Sequence, residues 1–97
     1  MDEKEISKAR KDIVTAVKTT LGDTYRTTVD GDMGIDVVYA LDECAEPVLR
    51  VESLFSSPEM WEVEIYTRDE FMDTAIQIKN AVEDVDGPSI DVTLCEM

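Results

Sequence analysis

The sequence predicts an α+β fold: a two-layer sandwich in which two helices cover one face of an antiparallel sheet of about five strands, in the order α-β-β-β-β-α-β. Three observations predict it. Two segments repeat apolar residues at three- and four-residue steps, whereas five others alternate apolar with polar residues. The connections between successive strands are short, which favours antiparallel neighbours. The 97 residues read as one acidic domain, and an apolar content of 43% is enough for a single core and too high for a disordered chain.

Residues 3–21, EKEISKARKDIVTAVKTTL, place Ile6, Ala9, Ile13, Ala16, Val17 and Leu21 on one helical stripe. Acids open this helix, and Gly22 stands just past its end, where a left-handed residue is favoured. The segment TYRTTVDGDMGIDVVYALDE reads as a hairpin. Tyr25, Thr27 and Val29 alternate, and Asp30, Gly31, Asp32, Met33 and Gly34 supply the turn. In its second strand, Ile35, Val37, Tyr39 and Leu41 are expected to face the core, with Asp36, Val38, Ala40 and Asp42 on the other side.

Pro47 leads into VLRVESLF, where Leu49 and Val51 alternate with Arg50 and Glu52, and Ser56, Ser57 and Pro58 end that strand. From Trp61 to Thr67, Trp61, Val63 and Ile65 point one way and Glu62 and Glu64 the other. Thr67 to Glu70 matches a capping box, in which a threonine and a glutamate satisfy each other's backbone amides. The helix it would open carries Phe71, Ala75, Ile78, Val82 and Val85 at helical spacing and is stopped by Gly87 and Pro88. A final strand, SIDVTLCEM, sets Ile90, Val92 and Leu94 against Asp91 and Thr93.

Charge is the outlying property, with 23 acids against nine bases and a net charge of −14. It is unevenly placed. Residues 1–28 hold six bases and five acids, a net +1, whereas residues 29–97 hold three bases and 18 acids, a net −15. With two helices on one face of the sheet, the opposite face stays open. The expected strand phases gather Asp36, Asp42, Glu52, Glu62, Glu64 and Asp91 there, interrupted by Arg50, Thr93 and Tyr66.

No catalytic pattern survives inspection. The segment DGDMGID begins like a calcium-binding loop at Asp30 and Asp32, but the third acid falls on Gly34, the glycine on Ile35 and the closing glutamate on Leu41. Paired carboxylates need a cleft and one raised pKa to act as acid and base, and a small sandwich offers little room for either. The chain has no histidine, no CxxC spacing and no phosphate-binding glycine loop. Cys44 and Cys95 read as reduced thiols of a cytosolic chain, since the N-terminus lacks a signal-peptide pattern and no segment is apolar enough to span a membrane. The expectation is a cytoplasmic binding protein with no enzymatic activity, cofactor or metal, that neither binds nucleic acid directly nor enters a membrane, and is a monomer or homodimer.

Its expected partner is a basic nucleic-acid-binding protein or nuclease complex. Carboxylates at alternate strand positions lie ~6.6 Å apart, with adjacent rows ~4.8 Å away. Several rows together approach the charge density of DNA, one phosphate per ~1.7 Å of axis. In size and charge the chain resembles the small acidic anti-restriction and anti-CRISPR inhibitors of phages, which implies a DNA mimic acting on a host-defence complex. Binding would involve the open-face acids together with Asp30, Asp32 and the apolar anchors Met33 and Tyr66, with Met60 or Trp61 at the strand edge, although for Trp61 the core is the stronger reading. Two other readings accompany it. A helix followed by successive strands and a second helix is similar to the opening order of the small acidic dimeric chaperones of type III secretion, which implies carriage of a partner protein; alternatively, the acids are a salt adaptation that keeps chains apart.

Overall fold

A computed structural model describes residues 3–32, 35–57, 60–85 and 89–96. Helix α1 (Glu3–Leu21) is followed by strands β1 (Arg26–Asp32), β2 (Ile35–Leu41), β3 (Pro47–Ser57) and β4 (Met60–Thr67). A 3₁₀ turn (Asp69–Phe71), helix α2 (Met72–Glu83) and strand β5 (Ser89–Glu96) complete the chain. The α+β class and the element order are those the hydrophobic periodicity predicts. The strands lie side by side in sequence order in one five-stranded sheet.

That sheet is mixed. The pairs β1–β2, β2–β3 and β3–β4 are antiparallel, as expected from their short connections, but β4 and β5 run parallel. The parallel pair follows from the element between them: a chain that leaves β4, crosses the sheet as α2 and returns alongside re-enters in the same direction.

Helix α1 lies over β2 and β3, and α2 over β4 and β5, with the helices also packed on each other. The stripe of α1 buries Ala9, Ile13, Val17 and Leu21, and that of α2 buries Ala75, Ile78 and Val82. Beneath them lie Val38 and Ala40 of β2, Leu49 and Val51 of β3, and Trp61, Val63 and Ile65 of β4. Trp61 is fully buried and packs on Phe55 at 5.0 Å between ring centroids, which makes it a core residue rather than a surface anchor. At the uncovered edge, Val29 of β1 remains 46% exposed although its side chain shares the helical face.

Helix termini follow local chemistry, with one departure. Gly22 adopts φ +59° and its N–H donates to the Lys18 carbonyl at 3.0 Å, the left-handed ending that glycine permits without strain. The capping box expected at Thr67 does not form. Thr67 stays in β4, fully buried, and its hydroxyl donates to the Arg68 carbonyl at 3.1 Å. Helix α2 is entered instead through the 3₁₀ turn, with Phe71 packed edge-on against Tyr25 at 6.1 Å. Both cysteines are free, Cys44 in the exposed β2–β3 turn and Cys95 half-buried on β5. Among the described residues, no helix is long and apolar enough to cross a membrane.

The phase of β2 is the reverse of the one expected from its larger apolar set. Asp36, Val38 and Ala40 are buried on the helical side, whereas Ile35, Val37, Tyr39 and Leu41 lie half-buried on the open face. Asp36 is accommodated by Arg10 of α1, whose Nε and Nη2 each donate to one carboxylate oxygen at 2.9 Å. This hydrogen bond and the carboxylate charge hold the Arg10 pKa above its ordinary value. Gly31, opposite Asp36 in the β1–β2 register, leaves the space the carboxylate needs: a Cβ there would stand 3.0 Å from Oδ1.

The pair yields a direct test. Arg10→Met leaves the Asp36 carboxylate, only 11% exposed, without its cation and is expected to destabilise the fold by about 2 kcal/mol, less than a deeply buried pair because the Arg10 side chain is 41% exposed. Adding Asp36→Val to the same chain should recover most of that loss, since the strand then presents an apolar residue to α1. Urea unfolding of the three proteins measures both steps.

Candidate interaction face

The strand registers place a continuous set of side chains on the face the helices leave uncovered. In cross-strand order, one row runs Asp30, Val37, Glu52, Glu64, Thr93 and the next Thr28, Tyr39, Arg50, Tyr66, Cys95. A third holds Ile35, Leu54, Glu62 and Asp91. The face therefore has two halves, an apolar strip along β2 that reaches Leu54 and an acidic field on β3, β4 and β5.

Glu52 and Glu64 are direct antiparallel partners, an arrangement that like charges ordinarily disfavour. Two neighbours relieve it. Arg50 Nε lies 3.3 Å from Glu52 Oε1, and its guanidinium sits over the Tyr66 ring, 4.3 Å from the centroid. The Tyr66 hydroxyl in turn donates to Glu64 Oε2. Glu52, Arg50, Tyr66 and Glu64 thus form a polar cluster across two strands that holds both carboxylates in place. Beside it, Ile35 and Leu54 line a cleft of about 80 Å³ together with Glu52, Glu62 and Glu64.

The other expected site residues fall elsewhere. Asp36 faces the helices, paired with Arg10, and is no part of this surface. Asp42 is absorbed by the β2–β3 turn, where its carboxylate accepts the N–H of Cys44 at 2.8 Å and of Glu46 at 3.0 Å. Asp30 is exposed on β1, opposite Val37; Asp32 ends β1 opposite Ile35 in backbone register; Met33 lies outside the described residues. Glu62, Glu64 and Asp91 are exposed on the open face, Glu52 and Tyr66 are half-buried there, and Met60 is 40% exposed at the start of β4.

What sequence reasoning missed is the apolar strip. The available signal was the composition of β2 itself, IDVVYAL, which is apolar in both phases, a pattern characteristic of a strand covered on two sides. The arrangement supplies charge and hydrophobic contact on rigid strands. Among the described residues, no group of three or more histidine, cysteine, aspartate or glutamate side chains is placed to hold a metal ion.

Comparison with protein-family models, with curated proteins and with solved structures finds no match for this chain.

The tyrosine cluster can be read spectroscopically. The hydrogen bond to Glu64, partial desolvation and the surrounding negative charge all hold the Tyr66 hydroxyl above the ordinary tyrosine pKa. A pKa raised in the folded state means that the stabilisation is present at neutral pH and is lost as pH rises through the folded value. In an alkaline absorbance titration, Tyr66→Phe should remove a tyrosinate phase that ionises above the ordinary tyrosine value, and Glu64→Gln should move that phase to lower pH. A late phase unchanged in both variants would show that the cluster does not persist in solution.

Proposed function

We propose that this chain is a non-enzymatic binding protein whose open sheet face takes the place of nucleic acid on a basic partner, inhibiting a nucleic-acid-binding protein or nuclease complex in the manner of the anti-restriction and anti-CRISPR proteins. The observation that carries the proposal is the alignment of Glu52, Glu62, Glu64 and Asp91 on adjacent strands of an uncovered face, where Arg50 is already engaged by Glu52 and Tyr66. Neighbouring rows ~4.8 Å apart present carboxylates at a spacing a phosphate-binding channel can meet.

The distribution of charge favours this reading over salt adaptation. A chain acidified only to hold water would load the exposed side of α1 as heavily as the sheet, yet residues 1–28 are close to neutral and residues 29–97 carry the excess. Glu52 and Glu64, held by Arg50 and Tyr66, also lose little side-chain freedom when a partner arrives, so more of the Coulomb attraction remains as affinity.

The test uses the full chain as an affinity bait at low salt, beside a bait carrying Glu62→Lys and Glu64→Lys. The expected result is capture, by the native bait alone, of a nucleic-acid-binding protein that is released by a salt step and displaced by added duplex DNA or RNA. Recovery of the same proteins by both baits, or a captured protein indifferent to nucleic acid and to salt, overturns the proposal.

A further inference from the structure

We infer that the open face is built to receive one basic amphipathic helix of a partner protein, lying along β3 with its apolar side on the β2 strip and its lysines or arginines among Glu52, Glu62 and Glu64. This rests on the reading of the acidic face given above and specifies the element that meets it.

The first argument is the strip. In an antiparallel sheet with one covered face, the solvent side is ordinarily polar. Here Ile35, Val37, Tyr39 and Leu41 occupy that side of β2, and Leu54, 37% exposed, extends the patch onto β3. Val38 and Ala40 fill the other side of the same strand. β2 thus has the composition of a strand covered twice, while the chain's two helices cover it once. Imitation of phosphates makes no use of an apolar strip.

The second argument is charge. Ile35 and Leu54 line the same cleft as Glu52, Glu62 and Glu64, so any body seated on the apolar residues also strips water from the carboxylates. Arg50 offsets only part of this charge, and covering the remainder is costly, so the occupant must carry cations beside its apolar groups. A second copy of this chain, with a net charge of −14, would bring a like-charged field to the same place.

The third argument is shape. Two strand spacings separate the apolar strip on β2 from the acids on β4, ~10 Å in all, close to the diameter of a helix with its side chains. The seven residues of β2 run for ~23 Å, about four helical turns. A strand would join the sheet at an edge through backbone hydrogen bonds and would leave this face empty.

The test uses two synthetic peptides of ~14 residues, about four turns, with one composition of leucine, lysine and alanine. One spaces leucines at helical intervals with lysines flanking them; the other scrambles the order so that no amphipathic face forms. Binding to the full chain is followed by fluorescence anisotropy and located by amide chemical shifts. The expected result is about tenfold or greater preference for the amphipathic peptide, with shifts centred on residues 35–41 and 50–54, lost when Val37→Thr and Leu54→Thr are combined. Threonine keeps strand propensity at both positions, and the unfolding midpoint of this variant confirms its fold.

Equal binding of the two peptides overturns the helix inference and leaves the charge-based function standing. Binding of neither also overturns the helix inference, and the charge-based function is then decided by the bait comparison alone. Self-association of the chain that is abolished by Leu54→Lys and excludes the peptide would assign the face to a second copy instead.

Discussion

Arg10 of α1 and Asp36 of β2 meet through two hydrogen bonds of 2.9 Å, and the character of both sheet faces depends on the strand phase that this contact accompanies. Judged by transfer free energy alone, β2 would turn the larger set, Ile35, Val37, Tyr39 and Leu41, toward the helices. The structure instead buries Val38 and Ala40, small side chains that let α1 bring Ile13 and Val17 close to the sheet. That phase also turns Asp36 inward, which is tolerable because a bidentate guanidinium reaches it and Gly31 leaves it space. The result is a compact helical layer on one side and four displaced apolar side chains on the other.

These facts account for what could be read in the sequence. From Trp61 to Tyr66 and from Ile90 to Cys95 the two strands alternate strictly, with charged residues in one phase only, so Glu62, Glu64 and Asp91 could be assigned to a face without knowing the fold. The helix α1 was equally plain, because a stripe with acids at its start and glycine at its end admits one interpretation. β2 admits two. With apolar residues at both parities, periodicity carries no phase information, and the decision passes to Arg10, 26 residues away and visible only once α1 lies on the sheet. Asp42 was lost for a different reason: it ends the strand, and a turn can use its carboxylate more profitably than solvent can. The capping box failed because Thr67 stays in β4 with its hydroxyl donating to the Arg68 carbonyl, and α2 begins only at Met72, after the 3₁₀ turn, so Thr67 does not occupy a capping position.

The open face also illustrates how like charges can be kept together at little cost. Glu52 and Glu64 face one another across antiparallel strands, yet Arg50 and Tyr66, the next cross-strand pair, each attend to one of them. The cation relieves part of the repulsion while its stacking on the tyrosine ring restrains its own side chain. Carboxylates held in this way stay available to a partner without having to be ordered by it.

Charge and apolar surface then act on different parts of a binding event. The long-range field of the acids governs encounter and weakens with salt, whereas the lifetime of a complex is set by contacts that exclude water at its centre. On this face the two are adjacent, since Ile35 and Leu54 line one cleft with Glu52, Glu62 and Glu64. A partner offering cations alone would be drawn in quickly and released quickly. A partner that also covers the β2 strip would be retained, and it would have to supply cations for the carboxylate charge that Arg50 does not already offset. On the proposed reading, the boundary between the strip and the acidic field is where the selectivity of the surface would reside, and that boundary exists because β2 turned its larger apolar set away from the helices.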